Sequence, residues 1–424
     1  MWKNNLNPWS WVPSLYFIEG LPWAITMIVS TLLYKNLNIS NSDIALYTSW
    51  LYLPWVIKPI WSPFIDSIKT KRFWILLMQF VIGCGLGLIA LTIPSESFFK
   101  YSLLIFWLIA FSSATHDIAA DGFYMLSLSS HDQAWYIGIR NTFYRIAIIS
   151  AQGLIIITVG LINKSFEDIK TAWLIMFIFL GIILLLSALY HLKKLPHSEE
   201  NKTKISLQES LNKFYSILSS FFKKPAIGVS IIFILTYRFG EAQLVKIAPL
   251  FMLDPNDSGG LGLTNIEYGF LYGTIGTIFL TIGGIAGGFI VAKKGLKQWI
   301  VWMALAMKLP DISYVFMAYS LPTSKMLIGS LICIEQFGYG FGFTAYLLYM
   351  MMISKGENST SHYAICTGIM AMGMMVPGMF SGSIQESIGY YYFFIWVMIS
   401  TIPGLIMIKY ITIDSKFGIK TKNG

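Results

Sequence analysis

Residues 111–124 read Phe111-Ser-Ser-Ala-Thr-His-Asp-Ile-Ala-Ala-Asp-Gly-Phe-Tyr124 and place two aspartates and a histidine in a segment long and apolar enough to cross a bilayer. Asp117 and Asp121 are four residues apart, so both carboxylates lie on one face if the segment is a helix. A charge in the middle of a membrane helix costs about 3 kcal/mol on insertion scales, and it therefore faces a cavity or a partner. The stretch predicts a membrane helix with a functional polar stripe.

The composition is that of an integral membrane protein. Of the 424 residues, 55% are hydrophobic and only 12% are charged, whereas charged residues make up about 25% of ordinary soluble domains. A helix that crosses ~30 Å of hydrocarbon needs about 20 apolar residues. The chain leads directly into its first apolar segment without a cleavable signal peptide, so we expect that span to remain. The twelve predicted spans, numbered one to twelve, cover residues 11–34, 44–65, 73–93, 101–126, 136–162, 172–192, 226–253, 265–292, 299–319, 326–353, 361–385 and 390–411.

A change of composition divides the chain into two halves. Residues 193–224 are rich in lysine and predict a cytoplasmic linker, whose amphipathic part around 207–222 we expect to lie on the membrane surface. We predict an N-terminal six-helix bundle (1–192), this linker, a C-terminal six-helix bundle (225–412) and a cytoplasmic tail (413–424). This all-α layout of twelve transmembrane helices is typical of secondary transporters with the major facilitator fold.

The formal net charge of +9 raises the question of a nucleic-acid partner. The lysines and arginines instead follow a membrane topology, because most of them lie in loops on one side. The opposite loops hold only Lys35, Lys100, Lys164, Lys170 and Lys325. By the positive-inside rule both termini are predicted to be cytoplasmic, and we expect no nucleic-acid partner.

The three cysteines, Cys84, Cys333 and Cys366, lie in three different predicted spans. Neither a disulfide framework nor a metal-binding pair is indicated, and small core residues are the favoured interpretation. We predict no metal site and no cofactor.

Counting residues along spans four and five gives the polar stripe a partner. Asp117 stands nine residues before Leu126, and Arg145 stands nine residues after Tyr136, so Asp117 or Asp121 is expected to meet Arg145 at the same depth. Two interpretations stay open: a charge pair that opens with protonation or substrate, and a fixed ion pair between helices. His116 is open in the same way, between a proton relay and a hydrogen-bonded packing role.

The second half carries buried charges as well. Arg238 and Glu241 are one turn apart in span seven and are expected to line a cavity, while Lys308 and Asp311 flank Pro310 and are interpreted as a structural pair. The predicted roles are assigned as follows. Proton coupling is assigned to Asp117, Asp121, Glu241 and Glu335; substrate binding to Glu19, His116, Tyr124, Arg145, Gln152, Arg238 and Lys246; and gating to Asp66, Lys71 and Arg72, which border the turn after span two.

The segment Ser113-Ala-Thr-His-Asp-Ile-Ala-Ala-Asp-Gly122 resembles the fourth-helix signature of AmpG-type muropeptide permeases, a branch of the major facilitator superfamily that also holds acetyl-coenzyme A transporters. Other segments agree with it: Glu19-Gly-Leu-Pro22, Lys58-Pro-Ile-Trp-Ser-Pro-Phe-Ile-Asp66, Tyr144-Arg145 and Tyr237-Arg238-Phe-Gly-Glu241. The chain differs from some members in ending after twelve spans where they have two more. It also has His116 where they have glutamine.

The resemblance implies proton-driven uptake of anhydro-muropeptides, which are cell-wall fragments of N-acetylglucosamine and anhydro-N-acetylmuramic acid that usually carry a peptide. The implied location is the inner membrane of a Gram-negative bacterium, and the implied route is alternating access. We expect a small glycopeptide and protons as partners, the lipid bilayer as surroundings, and a monomer.

Other activities remain as alternatives. The first is transport of another anionic substrate, such as a coenzyme A thioester, a drug or a siderophore. Drug/proton antiport is disfavoured because Ile148-Ile-Ser-Ala-Gln-Gly-Leu-Ile155 lacks the glycine–proline kink of such antiporters. A polytopic membrane enzyme is disfavoured because it would need catalytic groups clustered on long loops, and these loops are short. We therefore predict a transporter and no enzyme.

Overall fold

The computed structural model describes residues 7–196, 207–356, 358–415 and 417, and all regular structure within these ranges is helical. Among these described residues, ten helical runs are long and apolar enough to cross a membrane. The last of these runs contains two spans, because its backbone leaves the helix at Gly389, where φ is 75°. Span two consists of two shorter helices and completes the set of twelve.

The first six spans have the following bounds. Span one comprises Val12–Ala24, a π-helical turn at Ile25–Val29 and Ser30–Asn36, and span two comprises Asn41–Trp50 and Leu53–Ser67. Spans three, four and six are Lys71–Thr92, Phe98–Ser127 and Ile169–Lys194. Span five comprises Ser130–Ile149, a π-helical turn at Ser150–Ile155 and Ile156–Phe166.

The later helices follow the predicted order. The described part of the linker forms the helix Leu207–Phe222, and span seven comprises Ile227–Tyr237 and Phe239–Leu253. Span eight comprises Asn265–Tyr268, Gly269–Gly276 and Thr277–Lys294, and span nine comprises Leu296–Lys308, a 3-10 turn at Leu309–Asp311 and Ile312–Ser320. Span ten is Lys325–Ser354, and spans eleven and twelve lie within Ser359–Ser400 and Ile402–Met407. Residues 197–206 of the predicted linker and 418–424 of the predicted tail lie outside the described residues.

The chain folds into two compact units. The first contains Met1–Ile39 and Ile57–Phe214, and the second contains Ser40–Val56 and Tyr215–Gly424. The first helix of span two therefore belongs to the second unit, where Asn41 donates hydrogen bonds of 2.8 Å to Gln385 and to the Tyr390 hydroxyl. The passage from one unit to the other along the chain falls inside the helix Leu53–Ser67.

Glycines allow helices within each unit to touch backbone to backbone. A Cβ atom on Gly340 of span ten would lie 1.9 Å from the Leu280 carbonyl oxygen of span eight. In the first unit, a Cβ atom on Gly20 would lie 2.9 Å from the Tyr144 carbonyl oxygen of span five. Small residues serve this purpose in membrane helices generally, and here the contact at Gly20 fixes the position of the adjacent Glu19.

The outward surfaces are apolar, as expected for helices that face lipid. Large apolar side chains such as Leu91, Leu104, Ile285, Trp302 and Met326 are exposed by 63% or more of their surface. Many charged side chains in the middle of the spans are instead buried or half-buried, and nine of them form the two clusters described next. Arg145 of span five is exposed.

Candidate functional site

Charged side chains from four spans meet in the first unit. We name this group the N-terminal charge cluster and define it as Glu19 of span one, Lys58 of span two, Asp117 and Asp121 of span four, and Arg140 of span five. It brings the predicted polar stripe together with an acid from the Glu19-Gly-Leu-Pro22 segment. It contains three carboxylates and two cations.

Lys58 forms an ion pair with Asp117, with 2.5 Å between Nζ and Oδ2. The two side chains keep 23% and 18% of their surface exposed. Neighbouring Trp61 donates its indole hydrogen to Thr115 at 3.2 Å, which holds this part of span two against span four. Lys58 was quoted in the family resemblance but received no predicted role, although it lies within predicted span two.

Arg140 forms an ion pair with Asp121, with 2.6 Å between Nη2 and Oδ1. Its guanidinium lies over the Tyr16 ring at 4.4 Å and over the Tyr124 ring at 5.7 Å from the respective centroids. The two tyrosine rings meet edge to face with centroids 5.7 Å apart. This stacking orients Arg140 toward Asp121 by cation–π attraction as well as by charge.

Glu19 is the third carboxyl of the cluster and is only 5% exposed. Its Oε2 atom has no hydrogen-bond partner among the described residues, while its carboxyl group lies within hydrogen-bonding reach of Asp117. Two carboxyl groups share a hydrogen bond only when one of them carries a proton. With three carboxyl groups and two cations, one bound proton would make the charge of the cluster neutral.

The predicted partner of the aspartates was wrong. The structure pairs Asp117 with Lys58 and Asp121 with Arg140. Counting residues from the ends of spans four and five had predicted Arg145 as the partner of one of these aspartates. The count began span five at residue 136, but its helix begins at Ser130. Six extra residues move each position about 9 Å along the helix. Arg140, five residues nearer the start of span five, therefore reaches the aspartates.

His116 takes part in a buried chain of hydrogen bonds. The Gln79 amide lies 2.9 Å from His116 Nε2, and its oxygen lies 2.9 Å from Nδ1 of His191 in span six. His191 Nε2 lies 2.9 Å from the Ser14 hydroxyl of span one. These contacts favour the packing role of His116 over the relay, because the chain braces four spans. The predicted substrate contact of His116 stays a prediction.

The remaining predicted residues of the first unit lie around the cluster. The Tyr124 hydroxyl donates to the Gln133 carbonyl at 2.6 Å, and Gln152 is half-buried in the π-helical turn of span five. Of the predicted gating residues, Lys71 lies against Gly122, where a Cβ atom would be 2.8 Å from Lys71 Cε. Arg72 donates to the carbonyls of Leu192 and Leu195 at the end of span six, and the side chain of Asp66 lies outside the described residues.

A second group of buried charges lies in the second unit. We name it the C-terminal charge cluster and define it as Glu241 of span seven, Lys308 and Asp311 of span nine, and Glu335 of span ten. Each of the four is at most 4% exposed. The Lys308 ammonium donates to Glu241, so the expected pairing of Lys308 with Asp311 was wrong. The structural role expected of these two residues stays a prediction. Lys308 of span nine binds a carboxylate on span seven rather than Asp311, which is three residues away in sequence.

Other predicted residues of the second unit have polar or aromatic partners. The Arg238 guanidinium donates to the Tyr339 hydroxyl and lies 4.7 Å from the centroid of the Phe343 ring. Lys246 donates to Thr48 at 2.9 Å, and Glu335 accepts a hydrogen bond of 2.9 Å from Gln336. The contacts of Arg238 and Lys246 join different helices, so sequence spacing did not predict them, whereas Glu335 and Gln336 are neighbours in sequence.

The chain is similar in sequence and in fold to known membrane transporters. The family model described as Major Facilitator Superfamily matches residues 14–380. The chain is 23% identical over 410 residues to Putative transporter AmpG 4 of Rickettsia felis, with 94% of each chain covered. It is 21% identical over 403 residues to the Anhydromuropeptide permease of Escherichia coli K12, with 93% of this chain and 77% of that one covered. A solved bacterial homolog of the human lysosomal transporter Spinster matches with a TM-score of 0.71 and 15% identity over 96% of each chain, which supports the fold alone.

Proposed function

This chain belongs to the Major Facilitator Superfamily, and from that membership we propose that it is a proton-coupled importer of anhydro-muropeptides. The predicted fold and the resemblance to AmpG-type permeases are confirmed by the family model and by relatives of that name. Since the named relatives and structural neighbours are transporters, our proposal is for a transporter without enzymatic activity. We place it in the inner membrane as a monomer with cytoplasmic termini.

The substrate class rests on the relatives and on the charge of the site. The Escherichia coli relative is named as an anhydromuropeptide permease. An anhydro-muropeptide combines sugar rings with peptide carboxylates, and the N-terminal charge cluster offers a counterpart to each. Lys58 and Arg140 supply positive charge, while Tyr16 and Tyr124 supply ring faces beside Arg140.

The observation that carries proton coupling is the excess of acids in the N-terminal charge cluster. Two of its three carboxyl groups have cationic partners. The third, Glu19, lies against Asp117. Ionisation of all three would leave an uncompensated negative charge within a membrane span, which is costly. One bound proton removes that cost, so the site is suited to taking up and releasing a single proton.

We infer that this proton is linked to the substrate through Lys58. A proton that binds Asp117 removes the negative charge that holds Lys58. The Lys58 ammonium then becomes available to a carboxylate of the substrate, so proton and substrate enter together. Loss of the proton restores the pair of Lys58 and Asp117 and displaces the substrate carboxylate. Proton binding and substrate binding thereby favour each other, as symport requires.

Uptake of radiolabelled anhydro-muropeptide into right-side-out membrane vesicles tests the proposal. An imposed gradient with the acid side outside should drive accumulation in the wild-type protein. D117N and D121N should abolish accumulation, because each leaves two carboxyl groups for two cations and so removes the excess acid that binds the proton. D168N, which changes an exposed aspartate in the loop before span six, serves as the matched control and should accumulate substrate normally. Accumulation that survives both cluster variants and ignores the gradient would refute proton coupling.

A further inference from the structure

Asp311 is a buried carboxyl without a cationic partner in the C-terminal charge cluster. Its side chain is 2% exposed, and its Oδ2 atom has no hydrogen-bond partner among the described residues. The charges of Glu241, Glu335 and Lys308 all act on it. The Oε2 atom of Glu241 is likewise buried and without a partner in the described part of the chain.

The ammonium that could neutralise Asp311 is engaged elsewhere. Lys308 Nζ donates to Glu241 Oε1 and to the backbone carbonyl of Tyr237. That carbonyl is available because span seven is interrupted at Arg238, whose φ of −106° and ψ of 16° lie outside the helical range. Lys308 thus binds both sides of the interruption in span seven, the carbonyl before it and the carboxylate after it.

Lys308 and Asp311 stand at the two ends of one turn. The α-helix of span nine ends at Lys308, and the 3-10 turn Leu309–Asp311 follows it. Side chains at i and i+3 eclipse in a 3-10 turn, so the flexible Lys308 side chain has Asp311 as a second carboxyl within its reach. The cluster then holds one ammonium with two alternative partners, Glu241 and Asp311.

The balance of charge decides the protonation state. With Glu241, Asp311 and Glu335 all ionised, the nearby cations Lys308 and Arg238 would compensate at most two of three carboxylates, since the charge of Arg238 also acts on Glu241. An unpaired carboxylate buried in low dielectric is disfavoured, and a carboxyl in that position binds a proton instead. Glu335 has stabilising donors in Gln336 and Tyr314, at 2.9 and 3.3 Å. The Oδ2 atom of Asp311 has no such donor among the described residues.

We propose that Asp311 is a proton-binding site of the second unit and the alternative partner of Lys308. In one state Asp311 carries the proton and Lys308 binds Glu241 and the Tyr237 carbonyl. In the other, Asp311 has released its proton and binds Lys308, while Glu241 has accepted a proton as it lost the ammonium. Total charge is equal in the two states. In the second state, Lys308 no longer binds the two sides of the interruption in span seven.

This inference deepens the proposed proton coupling and rests on it for its role in transport, but proton occupancy of Asp311 is measurable without substrate or gradient. Infrared spectroscopy of the purified full-length protein in lipid detects the C=O stretch of protonated carboxyl groups at neutral pH, and its shift in D₂O identifies them. D311N should remove one component of this band. D168N should leave the band intact. A band unchanged by D311N would overturn the proposal.

A second variant distinguishes the exchange of partners from a merely structural carboxyl. E241Q removes the negative charge that holds Lys308, so Lys308 should move to Asp311 and Asp311 should lose its proton. The same component of the band should therefore disappear in E241Q although Asp311 is present. Persistence of that component in E241Q would refute the exchange. Should D311N fail to fold, D311E takes its place, because it keeps a carboxyl group and should shift the frequency of the same component, and an unshifted band would overturn the proposal. Failure of the muropeptide assay would leave these spectra unaffected, so the two proposals fail separately.

Discussion

The Lys58 ammonium and the Asp117 carboxylate lie 2.5 Å apart and join span two to span four within the first unit. Both side chains keep roughly a fifth of their surface exposed, at 23% and 18%. The pair is thus held by charge and remains accessible to a proton or to a competing carboxylate. Its loss should be visible in stability as well as in transport.

Replacing Asp117 alone should be more harmful to folding than replacing the pair. D117N leaves Lys58 without its carboxylate, whereas D117N combined with K58M removes charge and counter-charge together. We expect D117N to lower the free energy of unfolding by ~1–3 kcal/mol, between the values typical of exposed and buried pairs, and the double variant to recover most of that loss. Denaturant titration of the purified protein measures both. A double variant no more stable than D117N would contradict the prediction.

Arg140 should matter more for substrate binding than Arg145. R140Q removes the cation that binds Asp121 and stacks on Tyr16. We expect it to raise the Kd for anhydro-muropeptide at least about tenfold, or ~1.4 kcal/mol. R145Q is the matched variant and should change the Kd by less than about threefold. Isothermal titration of both proteins measures the difference, and the reverse order would restore the sequence-based assignment to Arg145.

Gly20 should not tolerate a side chain. A Cβ atom there would lie 2.9 Å from the Tyr144 carbonyl oxygen and 3.1 Å from Ala147 Cβ. Overpacking of this kind typically costs ~1–3 kcal/mol, and it would displace Glu19 from Asp117. G20A should therefore lower both the melting temperature and the uptake rate. G87A is the control, because nothing lies within 4 Å of a Cβ atom at Gly87. Equal melting temperatures for G20A and wild type would disprove the close contact.

Ligand-induced stabilisation should identify the substrate class. A ligand at 100 times its Kd stabilises the native state by about 2.7 kcal/mol, which is enough to raise the melting temperature measurably. Anhydro-muropeptides should produce this shift in the purified protein, and acetyl-coenzyme A at the same concentration should not. A shift with the thioester alone would favour the alternative substrate class over the one proposed.

The sequence was sufficient for the spans and for the identity of the main acids. The length of each apolar segment determines a span, because a segment that crosses the hydrocarbon must satisfy its own backbone hydrogen bonds and therefore forms a helix of about 20 residues. Asp117 and Asp121 were recognisable because ionisable residues are rare within spans. Span two was predicted as one segment, and it forms two helices that meet just before Pro54.

The ion-pair partners of these charged residues were harder to predict than the charged residues themselves. Arg145 was chosen over Arg140 because the start of span five was placed six residues late. The actual start has a sequence signal that was overlooked, since the Ser129 side chain accepts a hydrogen bond from the Asp132 amide as an N-cap. Lys308 was assigned to the acid nearest in sequence, whereas helix packing brought Glu241 to it. Such pairings depend on how helices rotate against each other, which sequence spacing does not specify.

The assignment of Ser40–Val56 to the second unit has a consequence for dissecting the protein into fragments. A cut in the linker would separate the C-terminal chain from this segment, although it packs there so closely that a Cβ atom on Gly382 would lie 2.2 Å from the Asn41 carbonyl oxygen. The C-terminal fragment would then carry an unfilled groove at Gly382, and Gln385 and Tyr390 would lose the donor that Asn41 provides. Fragment complementation would therefore require a break placed before residue 40 rather than at the linker.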